Sequence, residues 1–490
     1  MTSQTECVAE ISRQTVPASD AALAIVIMAA GKGTRLKSKR PKVLHEIGGK
    51  PLLAHVIAAA TTLVPADRVY VVVGHEAGRV REAVASSGVR FVEQTEQRGT
   101  GHAIQCARQA MAGFDSILVL SGDVPLIRPE TIERLWEFHQ AQRAAMTLLT
   151  TTPADASGYG RVLRTAPGGP EVEAIIEQKA LTAEQHRIGE INAGIYAFQT
   201  APLFAQIGAL QAENAHAELY LTDMARLLRD AGERVVAVEA PDPTEVLGAN
   251  TLAELASLDA ALRDANARRL MASGVTIFRP ETCIIDSEVK VASDTVIEPF
   301  VQLLGTTRIG CDCRIRSYTV VRNCALGDSV EVLPHCVLDS STIGAGARLG
   351  PFANLRPGSE VGENVHIGNF VELKKTRLGK GAKANHFAYL GDTEIGARCN
   401  IGAGTIVCNY DGTNKYQTHI GEGVFVGSNS TLVAPVTLED GAYIGAASCI
   451  TKDVPADALA VGRARQVTKE GWAAVRRKRR QEGSPKKAGE

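Results

Sequence analysis

Three groups of residues in this 490-residue chain have types and spacings that can do chemistry. The first is Ala29-Ala30-Gly31-Lys32-Gly33-Thr34-Arg35 with Pro41-Lys42 after it. Small residues let backbone N–H groups approach phosphate, and Arg35 and Lys42 can neutralise the charge that develops on a triphosphate during transfer. The second is Ser121-Gly122-Asp123-Val124-Pro125, where an apolar run ends in a carboxylate placed to hold a hard cation such as Mg²⁺ beside phosphates. The third surrounds His386, with Arg356, Lys374, Lys375, Tyr389, Asn400, Asn409 and Tyr410 close in sequence. Acyl transfer to an amine needs a base with a pKa near neutrality, which histidine has with little tuning.

Each group also has a plainer reading. A lone Gly-x-Gly is weak, and here no Gly-x-x-x-x-Gly-Lys-Ser/Thr can be laid on the loop, while Leu36 stands where a dinucleotide fingerprint has its third Gly. Asp123 by itself would cap a turn or helix, and a lone His386 is more often a hydrogen-bonded structural residue. Context decides between the readings.

The elements that must position the first two groups are strands and helices in alternation. Apolar runs at Ala24–Met28, Val69–Val73, Ile117–Leu120, Met146–Thr150 and Val235–Val238 read as buried strands, with helical patterns at Leu52–Thr62, Thr100–Met111 and Thr131–Gln140 between them. That order predicts an α/β, Rossmann-like domain over residues 22–250 with a mostly parallel sheet and ligands at the carboxyl ends of its strands. Leucines at 252, 255, 258, 262 and 270 predict a linker helix over 251–273.

The third group lies in a ladder. From Val291 to Ile450 one branched aliphatic position returns every sixth residue, as in Ile297, Leu303, Ile309, Ile315 and Val321, often with Gly next. This period predicts a left-handed parallel β-helix of hexapeptide repeats over 274–465, each side of a triangular coil sending one aliphatic residue inward. The phase slips by one at Val321–Leu326, Leu338–Ile343, Leu373–Leu378 and Leu390–Ile395, and breaks at Val407–Ile420, where a loop leaves the scaffold. Residues one coil apart stack, so Arg356, Lys374 and the region of His386 are expected on one groove wall.

Composition sets the remaining bounds. Charged residues at 22%, apolar residues at 45% and a formal charge of -1 describe a globular chain with no general attraction to nucleic acid. No apolar run is long enough to span a bilayer and no leader pattern opens the chain, so stable membrane insertion is not expected and a cytoplasmic location is. The ten cysteines lack a framework and are expected to be reduced, small apolar fillers of coil faces. Residues 1–21 read as a disordered extension, and 466–490, with Arg476-Arg477-Lys478-Arg479-Arg480, as a solvated, disordered basic tail.

The Gly-rich loop, Pro41-Lys42-Val43-Leu44, Gln97-Arg98-Gly99-Thr100-Gly101-His102-Ala103 and Gly122-Asp123-Val124-Pro125-Leu126 together resemble the sugar-nucleotide pyrophosphorylases. Joined to the hexapeptide ladder, they make Ala24 to Trp472 similar to the bifunctional N-acetylglucosamine-1-phosphate uridyltransferase/glucosamine-1-phosphate acetyltransferase family. The resemblance implies acetyl transfer from acetyl-CoA to glucosamine-1-phosphate, then uridylyl transfer from UTP to N-acetylglucosamine-1-phosphate, for cell-wall and lipopolysaccharide synthesis, in a homotrimer.

By that resemblance Met28, Ala29, Ala30, Gly31, Gln94, Gly99, Thr100, Ser121 and Gly122 would hold UTP, with Arg35 and Lys42 serving its phosphates. Asp123 and Asn250 would hold Mg²⁺, and Gly160, Glu177 and Asn192 the sugar. His386 would be the base of acetyl transfer. Arg356, Lys374, Tyr389 and Asn400 would bind the sugar phosphate there, and Ala403, Asn409, Tyr410, Ser428, Ala446 and Arg463 would line the acetyl-CoA channel. The chain departs from the family at Ser121, where Tyr is familiar, at Ala193, where Thr is usual, and at Leu252, where an Arg often follows the metal-binding Asn.

Two rival readings remain open. One is a sugar-1-phosphate nucleotidyltransferase of single activity with a purely structural β-helix; the other is a non-enzymatic scaffold carrying a degenerate domain. Neither needs His386 together with Arg356, Asn409 and Tyr410, and the degenerate reading is opposed by Arg35, Lys42 and Asp123 all being present.

Overall fold

The computed structural model describes residues 22–212 and 217–482. The expected N-terminal extension and the end of the basic tail, 483–490, lie outside the described residues. The chain forms two compact units that divide at Ala265/Asn266.

In the first unit a central sheet runs in the order Val235–Glu239, Met146–Thr151, Ile191–Gln199, Ser116–Ser121, Leu23–Met28, Val69–Val73, Arg90–Glu93. Its middle strands are apolar on both faces because helices cover both sides, and Ile25, Ile27, Leu118 and Leu120 are fully buried. All pairings along this path are parallel except those of Ile191–Gln199, which is antiparallel to both neighbours. That strand escapes sequence reading because Asn192 and Gly194, the latter at φ 72°, interrupt its apolar pattern and shift its register. A hairpin, Arg161–Arg164 with Val172–Ile176, extends the sheet beside it.

The helix Leu252–Ala272 opens with reciprocal bonds. Glu254 N donates to Thr251 Oγ1 at 3.2 Å, while Glu254 Oε2 accepts from the backbone of Thr251 at 3.1 Å and of Asn250 at 2.6 Å. This capping box satisfies N–H groups that a helix start leaves unpaired, and it fixes the residue just before the helix. Leu255, Leu258 and Leu262 then pack with Ile47, Leu52 and Ala249.

The second unit is three parallel sheets of short strands, wound so that each strand pairs with the one a full coil later. Ile297 pairs with Ile315 eighteen residues on, whereas Ile309 pairs with Leu326 seventeen on. The phase slips are thus coils with one shorter corner. One coil takes twenty-five residues, Ile395 to Ile420, and absorbs the predicted loop without loss of register. Inward positions such as Ile315, Leu338, Leu355, Leu373 and Leu390 have no solvent exposure and form one continuous core.

One corner carries a second ladder, on the outside. Phe300, Tyr318, His335, Phe352, Phe370 and Phe387 stack ring on ring at 4.9–5.1 Å between centroids. Each has a left-handed backbone, with φ between 47° and 64°, so the corner geometry repeats while its side chains project in register.

Two expectations are corrected. After Gly462 the chain is not wholly irregular, because Trp472–Glu482 is a helix, whose Trp472 ring lies 5.0 Å from the Arg476 guanidinium. All nine described cysteines are free thiols, but only Cys283, Cys313, Cys324, Cys336 and Cys399 are buried fillers; Cys408 and Cys449 are exposed, and Cys106 and Cys311 are half-buried.

Leu373→Ala should test the column. It removes a fully buried side chain between Leu355 and Leu390, and about 2–5 kcal/mol should be lost from the β-helix transition in urea unfolding. An unchanged midpoint would mean that the column is not what holds the coils together.

Candidate functional site

In the first unit, buried strands deliver their carboxyl ends to one cleft of about 470 Å³. Met28, Ala29, Ala30, Gly31, Lys42, Gln94, Gly99, Thr100, Ser121 and Asp123 line it, so ten of the expected nucleotide residues come together. Glycine is required at two turns. Gly33 has φ 62° and its α-carbon backs onto Lys42, so a Cβ there would stand 2.6 Å from Lys42 Cβ. Gly99 has φ 105°, and a Cβ there would stand 2.8 Å from the backbone nitrogen of Leu219. Gln94, almost fully buried, donates to Gly99 O at 3.0 Å and holds that turn against the cleft.

The charged end of the cleft is a tight polar cluster. Lys42 Nζ forms an ion pair with Asp123 and donates to Asn250 Oδ1 at 2.9 Å, while Arg35 donates to the same oxygen at 2.6 Å. Asn250 reaches this point because the capping box holds its backbone. The oxygens of Asp123 and Asn250 therefore converge on one cation, here an ammonium. Among the described residues no group of three or more His, Cys, Asp or Glu side chains is placed to hold a metal ion. A divalent ion would find two protein oxygens here and need phosphate or water for the rest, which suits Mg²⁺.

Gly160, Glu177 and Asn192 form an adjoining group on the hairpin and the antiparallel strand. Asn192 N donates to Gly160 O at 3.0 Å, and a Cβ on Gly160 would stand 3.6 Å from Glu177 Oε2. Burial pushes the Glu177 carboxyl above its usual range, partly offset by the Thr222 hydroxyl that donates to it at 3.1 Å. A Cβ on Gly194 would stand 3.9 Å from Ser121 Oγ, which ties this group to the cleft. Tyr159, which the sequence did not single out, also belongs here: burial and then the charges of Glu254 and Asp123 raise its phenol pKa.

In the second unit the expected residues fall into two columns. Arg356 continues the strand that pairs Leu355 with Leu373, so it stands over Lys374, and Lys374 pairs with Gly391. Gly391 leaves room for Tyr389, whose hydroxyl would touch a Cβ there, as would the Asn409 amide at 2.8 Å. Asn409 is buried and donates to Asp392. Lys415, at the end of the inserted loop, joins this cluster and was not singled out from sequence. Lys374, close beside it, holds the Lys415 ammonium below its usual range. Two ammonium groups this close are charges that an anion would relieve, and Arg356, one coil earlier, is itself paired with Glu372 at 3.1 Å. The signal for Lys415 was its place as the last cation of the loop.

His386 belongs to the other column. It pairs with Asn369 one coil earlier, and Asn369 Oδ1 meets its Nδ1 at 2.7 Å. A carboxamide oxygen only accepts, so Nδ1–H donates and the lone pair lies on Nε2. The strand registers carry this column on through Ala403, Ser428 and Ala446 to Gly462, next to Arg463. The expectation that Arg356, Lys374 and His386 share one wall is therefore corrected: within one chain they occupy different corners, because His386 lies only two sides of the coil past Lys374, and the full turn is completed at Gly391. Asn400 pairs with Lys383 at the start of a strand in the His386 sheet, and Tyr410 is exposed on the loop, its hydroxyl donating to Gly412 O. Asn369, seventeen residues before His386, could have been found by counting one short coil.

Comparison with known proteins agrees with both units. Residues 25–277 match the MobA-like NTP transferase domain, and residues 340–375 match the bacterial transferase hexapeptide (six repeats). The chain is 62% identical to bifunctional protein GlmU of Koribacter versatilis over 455 residues, covering 93% of this chain and 97% of that one. The same-named protein of Solibacter usitatus is 52% identical over 93% of this chain and 98% of its own, and that of Listeria monocytogenes serotype 4a is 44% identical over 91% and 97%. With both domains and nearly the full length of these relatives matched, the chain belongs to the GlmU family of bifunctional proteins.

Proposed function

We propose that the two clusters carry two successive transfers in the synthesis of UDP-N-acetylglucosamine. The second unit moves acetyl from acetyl-CoA to the amine of glucosamine-1-phosphate; the first joins the N-acetylglucosamine-1-phosphate so formed to the uridylyl group of UTP. The observation that carries the reading is the pairing of a phosphate cleft with a separate His386 base in one chain. A nucleotidyltransferase with a merely structural β-helix would need neither Asn369 on His386 nor the Lys374–Lys415 pair.

In acetyl transfer, His386 Nε2 takes a proton from the sugar amine, whose nitrogen attacks the thioester carbonyl. The carbon–sulfur bond breaks and the proton passes to the departing CoA thiol. Arg356, Lys374 and Lys415 hold the sugar phosphate, with Tyr389 and Asn400 at the sugar and Arg463 on a CoA phosphate through its fork of donors. Since the His386 and Arg356–Lys374 columns occupy different corners, a site containing both is completed by a second copy. A homotrimer with shared sites satisfies that requirement.

In uridylyl transfer, an oxygen of the sugar phosphate attacks the α-phosphorus of UTP and pyrophosphate leaves. Gln94, Gly99 and Thr100 hold the base end, Arg35 and Lys42 neutralise the phosphates, and Gly160, Glu177 and Asn192 position the sugar. Asp123 and Asn250 would hold Mg²⁺, which supplies charge neutralisation at the phosphates when bound, and Lys42 would then turn from Asp123 toward the nucleotide. Among the described residues no helix is long and apolar enough to cross a membrane. The cytoplasmic location belongs to this reading through its co-substrates, UTP and acetyl-CoA.

His386→Ala should lower acetyl transfer at least about 100-fold, the scale of a positioned general base, and leave pyrophosphate release from UTP unchanged; Asp123→Ala should do the reverse. Loss of both activities from either change in a folded protein would refute independent sites. Co-refolding His386→Ala with Lys374→Ala should restore acetyl transfer that neither variant has alone. Without recovery in assembled mixtures, both groups would have to act within one chain.

A further inference from the structure

The aromatic ladder stops at the one rung where the acetyl-transfer chemistry is placed. Phe387 immediately follows His386, and its ring stacks on Phe370 at 5.1 Å. At the next rung of this corner stands Gly404, whose N–H donates to His386 O at 3.2 Å and whose φ is 73°. The rung therefore carries no side chain. A rung further on, Asn429 leans back over the gap, so that its Oδ1 would lie 2.6 Å from a Cβ on Gly404. Phe387 is correspondingly the most exposed of the Phe and Tyr rings in the stack, at 60% against 45–52% for Phe300, Tyr318, Phe352 and Phe370.

We propose that the bare face of Phe387 is the floor of the acyl subsite, where the flat acetyl thioester lies beneath Asn429 and beside His386, and that the ring limits the length of acyl group accepted. This rests on the acetyl-transfer reading above. Two rungs separate Phe387 from Asn429, about 10 Å at the usual strand spacing, and the leaning carboxamide narrows that opening. A planar group fits such a slot at about 3.5–4 Å from the ring, whereas a sugar chair does not lie flat in it. Of the two reactants only the thioester has its reacting carbon in a flat group. Gly404 allows the approach by presenting backbone alone.

If the ring is removed, the floor drops to Phe370, about 4.8 Å lower, and the subsite lengthens by about one rung. The test compares acetyl-CoA with propionyl-CoA on the full-length protein. Phe387→Ala should raise KM for acetyl-CoA about tenfold and shift the ratio of kcat/KM, propionyl over acetyl, upward by about tenfold, the scale of one methylene in a fitted pocket. KM for glucosamine-1-phosphate and the uridylyl transfer rate should stay as in the wild type. Phe387→Leu, which keeps an apolar floor, should recover most of the donor KM, and Phe370→Leu, inside the stack, should leave the acyl ratio unchanged.

An unchanged donor KM and acyl ratio in Phe387→Ala would overturn the proposal. So would a variant whose sedimentation shows altered assembly while its donor KM stays normal, since the ring would then serve a seam between copies of the chain. A wild type that consumes no acetyl-CoA would instead remove the acetyl-transfer reading and this inference with it.

Discussion

Everything in the second unit depends on one constraint, that each strand must hydrogen-bond to the strand one coil away. Parallel pairing at a spacing of about 4.8 Å leaves no freedom in which residue stands over which. Buried aliphatics then stack into a core that no single coil could form, and exposed residues inherit the same order. Polar side chains are thereby fixed in columns as firmly as the core is. The distinct corners of His386 and of Arg356 with Lys374 follow from this counting alone.

The first unit solves the same positioning problem by other means. Strands buried on both faces end together, and the residues just past their ends are held by backbone bonds rather than by stacking. Gly122 N donates to Met28 O at 3.0 Å, which ties the loop carrying Asp123 to the strand that opens the Gly-rich loop. Asn250 arrives from far along the chain and is set by a helix cap. Its position therefore rests on Thr251 and Glu254, the two residues that close the helix cap.

Much of this was legible in the sequence, for identifiable reasons. The period of six has no helical or extended equivalent, so the ladder and its inward residues could be read directly. The phosphate loop and Asp123 could be read because apolar strands precede both. The strand Ile191–Gln199 was hidden because Asn192 and Gly194 break its pattern, and Asn192 Oδ1 accepts from Gly194 N at 3.1 Å where the register shifts. His386 was placed on the wrong column because nearness in sequence was taken for a full turn, whereas from Lys374 the turn is completed at Gly391 and His386 lies two sides round the coil. Lys415 depends on a contact made by the inserted loop, which composition and periodicity do not express, whereas Asn369 needed only a count of one short coil back from His386. The helix at Trp472–Glu482 was obscured by its run of five cations, which suggested solvation and carries no statement about backbone shape.

The twenty-five-residue coil has a bearing on how such a scaffold can change. Ile395 and Ile420 meet in the same register as any other pair, although the path between them is longer by a whole loop. The stack registers turns completed, and is indifferent to chain spent outside it. Residues can therefore be gained or lost at that point without disturbing the coils above or below. Variation in reactivity is decoupled from variation in architecture at this place, and a fold whose other coils differ in length by only a residue or two has here a position where length is free.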